Sequence, residues 1–241
     1  MKAYIDLNCD MGESYGVYNY GLDKEMMSLI SSANVACGFH AGDPQVMHQT
    51  VALAEQYGVR VGAHIGLPDR LGFGRRYMQL TPAEMYDYSL YQIGALDAFL
   101  RIKNMRMSHV KLHGALYMMA SEQRDLADAF VQAVSSFDPD LEIYALPNSQ
   151  MDMSATANNL PVVREYFADR PYVQENVKMF GWSYEEVGTP EEVGARIEKM
   201  VSDSAFANIG TICVHSDTKG APIIMKRVKD TIQSFGYKTR K

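Results

Sequence analysis

Seven times along this chain a short apolar run turns abruptly polar at its C-terminal end, and amphipathic helical patterns separate most of these runs. The runs are Ala3–Asn8, Ala33–Cys37, Val59–Ala63, His109–His113, Leu141–Leu146, Val162–Phe167 and Thr211–His215. Alternating strands and helices predict a parallel sheet covered by helices. An open doubly wound sheet places its chemistry only where the strand order reverses. A closed barrel gathers every strand end around one mouth. Polar residues follow nearly every run here, so the expected fold is α/β, an irregular seven-stranded (β/α) barrel. Seven units of roughly 35 residues use the whole chain, close to the ~250 residues typical of such barrels. No linker or shift in composition divides it, and residues 1–241 are read as a single domain.

The helix boundaries carry their own signals. Asp43-Pro44 supplies an N-cap and a proline at the first helical position, Met47, Val51 and Ala54 follow at helical spacing, and Gly58 stops the helix. Thr81–Glu84 and Thr189–Glu192 both read as capping boxes. The last helix carries Ile224, Val228, Ile232 and Phe235, with Gly236 as its terminator. Asn148–Leu160 is rich in small and turn-forming residues and is expected to be a loop over the mouth.

The strand ends hold the candidate chemistry. Alternation puts Asp6, Asn8 and Asp10 on one face of the first strand, with Glu13 just beyond. The D-x-N-x-D spacing lacks the glycine and the twelfth-position glutamate of a calcium loop, so that reading is rejected. Three polar side chains on one face need partners to be buried; they form either an active site or a hydrogen-bonded plug. The second strand leads through Asn34 and Cys37 to His40, flanked by Gly38 and Gly42, and to Asp43, which is either a ligand-binding residue or only a helix cap. Cys37 has no base beside it in sequence and is read as a buried thiol. The third strand delivers His64 and a loop ending Gly72-Phe73-Gly74-Arg75-Arg76, a phosphate- or carboxylate-binding turn or a solvated one. It is neither a Walker loop nor a dinucleotide fingerprint. Lys111 and His113 share a face of the fourth strand, and a lysine in a barrel interior must be paired, which suits it to neutralise an oxyanion or acylphosphate. The sixth and seventh runs end in Glu165, Asp169 and Arg170, and in His215 and Asp217. Such pooling of titratable residues at strand ends is the strongest physical signal in the chain.

Bulk properties remove other classes. A net charge of −6 with only a short basic tail at 238–241 argues against nucleic acid and acidic membranes. No apolar segment is long enough to span a bilayer, and Met1-Lys2 leads into a strand rather than a secretory signal. Three scattered cysteines fit a reducing compartment, so the expected location is the cytoplasm. Sixteen methionines suit an adaptable core or a partner surface.

Asp6-Leu7-Asn8-x-Asp10-x-Gly12-Glu13, Ser32-Ala33-Asn34, Cys37 through Pro44, Gly62-Ala63-His64, Gly72 through Arg76, His113 through Tyr117 and Phe167-Ala168-Asp169-Arg170 together resemble the signature blocks of LamB/YcsF proteins, in the family's order. The resemblance implies a barrel of the glycoside hydrolase/deacetylase type and a role as one component of a 5-oxoprolinase. Such an enzyme opens the lactam of 5-oxo-L-proline to L-glutamate with cleavage of ATP, carried with Mg2+ as its counter-ion, and works with B- and C-type partner subunits. On that basis Asp10, Glu13, His40, His64, Lys111 and His113 are the expected catalytic set. Asp6, Asn8, Asn34, Asp43, Arg75, Arg76, Glu165, Asp169, Arg170, His215 and Asp217 are expected to bind substrate or phosphate. Deacetylase-like proteins hold a metal with one Asp and two His, a set that Asp10, His40 and His64 offer; a tightly bound metal is nonetheless not expected, and its ligands stay unassigned. The chain departs from the family pattern at Leu112, at Ser216 and across Val177–Trp182, where an arginine is missing. These departures leave another lactam or amide as an alternative substrate. The competing functions are a stand-alone metal-dependent hydrolase and a non-catalytic substrate-binding subunit.

Overall fold

A computed structural model describes residues 4–174, 176–203 and 208–240; Ala3, at the head of the first run, and Lys241, in the basic tail, lie outside them. Six strands, β1 (Tyr4–Met11), β2 (Ser32–Ala36), β3 (Arg60–Ile65), β4 (Met107–Leu112), β5 (Glu142–Ala145) and β6 (Val162–Phe167), pair in parallel in chain order. A short antiparallel hairpin, β7 (Tyr172–Val173) and β8 (Asn176–Val177), interrupts the pattern. Strand β9 (Ile209–Cys213) then pairs with both β6 and β1, closing a barrel of seven parallel strands. Each expected run coincides with one of these seven, shifted by a residue or two at most ends. Strand β10 (Lys238–Thr239) adds to β1 at Tyr4 and Ile5.

The outward-facing side chains make the apolar core. Leu7, Cys9 and Met11 of β1, Val61, Ala63 and Ile65 of β3, and Val110 and Leu112 of β4 are all fully or almost fully buried. Helices α2 (Pro44–Tyr57), α3 (Pro82–Arg101), α5 (Arg124–Phe137), α8 (Pro190–Ser202) and α9 (Ala221–Ser234) cover them with single apolar stripes, such as Ile93, Leu96 and Leu100 on α3; α1 (Asp23–Met27), α4 (Gly114–Glu122) and α7 (Tyr184–Val187) are shorter. The capping signals hold: Asp43 Oδ1 accepts the Gln45 and Val46 amides, and Thr81 and Thr189 each form a capping box. Caps of this kind contribute about 1 kcal/mol each.

One expectation fails. Residues 150–157 form a helix, α6 (Gln150–Ala157), where a loop was expected. Ser149 caps it by accepting the Asp152 amide, and Met151 and Ala155, one turn apart, pack into the core beside α5. Small residues there reflect close packing between elements, not a turn. No helix among the described residues is long and apolar enough to cross a membrane.

The barrel interior is polar. Barrels of this class are normally filled by branched aliphatic residues, but here the alternate face of each strand supplies Asp6, Asn8 and Asp10, Ser32 and Asn34, His64, His109 and Lys111, Tyr144, Glu165 and Thr211, all buried. Gly62, opposite His109 in the β3–β4 register, has no side chain for a reason: a β-carbon there would lie 2.3 Å from the His109 ring.

Candidate active site

The interior polar groups are arranged in tiers. At the N-terminal end Asp6 accepts hydroxyl hydrogen bonds from Ser31 and Ser32 on one oxygen and from Tyr144 and Thr211 on the other. Asp6 therefore plugs the barrel floor and is not placed to meet a ligand. In the middle tier Asn8 donates to Glu165 and Thr211, and Asn34 donates to both Asn8 Oδ1 and Asp10 Oδ1. His109 Nε2 lies 2.7 Å from Asn34 Oδ1 and so fixes the amide's orientation. His109 was missed in the sequence, although strand alternation puts it on the same face as Lys111 and His113.

The upper tier is charged. Lys111 Nζ lies 2.8 Å from Glu165 Oε1 and 3.2 Å from Asp10 Oδ1, and it also donates to Asn8 Oδ1. Burial alone would lower its pKa, but Asp10, Cys213 and Glu165 carry it well above the ordinary value, which favours the charged ammonium. Burial would likewise raise Asp10, yet His64 and Lys111 hold it well below the usual carboxylate range. Asp10 Oδ2 sits 3.2 Å from His64 Nε2 and 3.4 Å from His215 Nε2.

Loops at the C-terminal end of the barrel complete the site. His40 and His113 stack with ring centroids 3.8 Å apart, and His64 meets both edge-on. Gly66 admits the His40 ring, because a β-carbon there would come within 2.2 Å of Nδ1. Glu13 Oε1 faces this group, 3.4 Å from His40 Nε2 and 3.6 Å from His113 Nδ1. Burial, reinforced by Asp10 and Asp217, pushes Glu13 well up, whereas burial and neighbouring imidazoles push His40 and His113 well down. Glu13, His40, His64 and His113 offer four ligand atoms within 4.8 Å of one another, a set with metal-ligating chemistry.

A cavity opens above this floor, lined by Asp10, His64, Lys111, His113, His215 and two arginines, with Met179 and Phe180 over it. The arginines are Arg75, paired with Asp217 at 2.7 Å, and Arg170, paired with Asp169 and lying over the Trp182 ring. Asp169 also accepts from the His215 amide and Thr218 hydroxyl, so it orients the His215 loop. Tyr20 donates to Asp217, bringing the 14–22 loop to the rim. Besides Asp6, two expected binding residues sit elsewhere. Asp43 is spent on capping α2 and on the Gly16 amide, and Arg76 pairs with Asp69 on the outer surface. Arg75 therefore faces the cavity alone of that pair. Arg170 packs its guanidinium over Trp182 of the Val177–Trp182 segment.

The LamB/YcsF family model matches residues 5–241. A 5-oxoprolinase subunit of Pyrococcus horikoshii is 44% identical over 97% of this chain and 96% of its own length. The crystal structure of the lactam utilization protein from Thermus thermophilus superposes with a TM-score of 0.89 at 40% identity, covering 98% of this chain and 99% of that one. The catalytic domain of a peptidoglycan N-acetylglucosamine deacetylase from Eubacterium rectale shares the barrel alone, with a TM-score of 0.51 at 12% identity over 99% of this chain and 88% of that one.

Proposed function

Because the chain belongs to the LamB/YcsF family, we propose that it is the lactam-opening component of an ATP-dependent 5-oxoprolinase, converting 5-oxo-L-proline to L-glutamate together with two partner subunits. The observation that carries this reading is Lys111, a buried amine held between the Asp10 and Glu165 carboxylates at the floor of the cavity, directly beside the Glu13–histidine cluster. A five-membered lactam is resonance-stabilised and resists attack by water. Transfer of the γ-phosphoryl group of ATP to the lactam oxygen makes the ring carbon electrophilic. ADP leaves; a first water adds to that carbon and the ring C–N bond breaks, leaving the γ-acyl phosphate of glutamate, which a second water cleaves to L-glutamate and phosphate.

Each stage asks for something this floor can supply. Lys111 offsets the charge that grows on the oxygen and its phosphate, in a site where water screening is weak. On this reading the cluster of Glu13, His40, His64 and His113 takes a proton from attacking water, and His215, braced by Asp169, returns one to the leaving nitrogen. Arg75 and Arg170 at the rim suit the substrate carboxylate or the transferred phosphate. ATP, with Mg2+, reaches the lactam either in this cavity or across a partner interface.

The test is glutamate release from 5-oxo-L-proline and ATP, by this chain alone and then with B- and C-type subunits. Activity only in the complete mixture, lost in Lys111→Ala, is the expected result. Cleavage of ATP driven by another lactam, with no glutamate formed, overturns the substrate. A complete mixture that stays fully active with Lys111→Ala overturns the catalytic role.

A further inference from the structure

We propose that Glu13, His40, His64 and His113 form a binding site for one divalent transition-metal ion of the Zn2+ or Co2+ type. Backbone carbonyls fix where two of the imidazole protons must be. His64 Nδ1 lies 3.3 Å from the Lys111 carbonyl oxygen, and His113 Nε2 lies 2.7 Å from the Phe73 carbonyl oxygen. A carbonyl only accepts, so these two nitrogens carry the protons. In the neutral rings, the opposite nitrogens, His64 Nε2 and His113 Nδ1, then present lone pairs. They face each other at 3.0 Å. Two lone pairs at that distance repel unless a cation lies between or beside them.

Two further groups converge there without partners. His40 is fully buried and neither of its ring nitrogens makes a hydrogen bond. Glu13 is 6% exposed, and its Oε1 is also without a hydrogen-bond partner while approaching all three rings. Buried polar atoms are rarely left so, and Glu13 Oε1 and both His40 nitrogens lie in one cluster. The spacing fits an ion. Tetrahedral bonds of about 2.0–2.1 Å place donor atoms roughly 3.3–3.5 Å apart. The separations are 3.0 Å between His64 and His113, and 3.4, 3.6 and 4.0 Å from Glu13 to His40, His113 and His64. The stacked rings of His40 and His113 do not share an ion in both planes, so binding requires one of them to tilt.

The donor set selects the ion. Three imidazoles with one carboxylate suit Zn2+, Co2+ or Ni2+ and disfavour Mg2+ and Ca2+, which take oxygen ligands. The carbonyls of Lys111 and Phe73 are the orienting partners that metal-bound histidines ordinarily have. The set differs from the Asp10, His40 and His64 combination considered from sequence: Asp10 Oδ1 is taken by Lys111 and Asn34, and its Oδ2 lies 3.2 Å from His64 Nε2 and 3.4 Å from His215 Nε2. Such an ion would lower the pKa of a bound water; the binding claim does not depend on that chemistry or on the lactam reading.

The alternative occupant is a proton on His64, shared with His113 and Asp10. The two are separated by stripping the purified chain with chelator and titrating it with Co2+ and with Zn2+, without 5-oxoproline or ATP. The expected result is one ion per chain, a visible absorption spectrum of low-symmetry Co2+, and a thermal midpoint that rises with free metal. His40→Ala and Glu13→Gln should each weaken binding by more than about a hundredfold, beyond what loss of an orienting partner does. No stoichiometric binding up to millimolar metal in the wild-type chain overturns the proposal and leaves the proton. Binding that both variants retain unchanged also overturns it. Since the wild-type spectrum needs no variant to fold, the test stands even if a substitution unfolds the barrel.

Discussion

Replacing Lys111 by Met tests the charged floor most directly. Met fills the space of the aliphatic stem, so little packing is lost. What disappears is the one cation between Asp10 and Glu165, at 3.2 and 2.8 Å. Both carboxylates are buried, Asp10 at 2% and Glu165 at 1% exposure. Removing one partner of a buried ion pair costs about 3–5 kcal/mol, because the charge left behind has no solvent. For a chain of this length each kcal/mol moves the thermal midpoint by about 2–4 °C, so the fall should be roughly 6–20 °C. Thermal and urea unfolding monitored by circular dichroism measure it. A second variant completes the reasoning: Lys111→Met with Glu165→Gln removes one of the orphaned charges. The pair should then be more stable than the sum of the single losses by about 0.5–3 kcal/mol. A midpoint shift under about 2 °C in the single variant refutes the buried-pair account. Strict additivity in the double variant does the same.

Three other outcomes follow from particular contacts. Burial raises Asp23 to about 6 in the folded chain, where it accepts the Gly12 amide hydrogen, against roughly 3.9 when unfolded. As pH rises from about 4 to about 6 the unfolded state gives up this proton first, so stability should fall by about 2–3 kcal/mol. Asp23→Asn keeps the acceptor and should flatten that part of the urea-midpoint profile; an unchanged slope would refute the assignment. Gly62→Ala drives a β-carbon into the His109 ring, with an expected loss of about 1–3 kcal/mol by calorimetry, and a neutral effect would show that the ring moves freely. Ser149→Ala removes the cap of α6 and should cost about 1 kcal/mol, visible as faster amide exchange in 150–157; exchange as slow as in the parent chain would count against the cap.

Much of the architecture was legible because two periods dominate the chain. Strands of period two separated by capped helices fix the barrel, and the capping boxes at Thr81 and Thr189 set helix starts to the residue. The site was legible where residues end a strand, as with Asp10, His64, Lys111 and His113. It was less so where a residue has two possible uses. Asp43 and Arg76 carry the right charge but spend it locally, on a helix end and on Asp69. Asp6 stands on the correct face yet two tiers too low, and depth within a barrel depends on strand register, which no local pattern encodes. His109 shows the opposite error. Its face was readable, but one histidine at the start of a strand looks structural until Gly62 and Asn34 are seen around it.

The polar interior has a consequence for how this barrel can change over time. The shell outside the strands is held by apolar contact and contains Met26, Met27, Met47 and Met85, side chains that accommodate altered neighbours. Inside, Asp6, Asn8, Asn34, Tyr144, Glu165 and Thr211 match donor to acceptor with few spare valences. Few residue types reproduce such a match at a single position, so most drift inside needs coordinated replacements. New ring sizes or side groups are therefore more readily admitted at the rim, through the segments bearing Arg75, Arg170 and Met179–Trp182, while the floor passes unaltered from one specificity to the next.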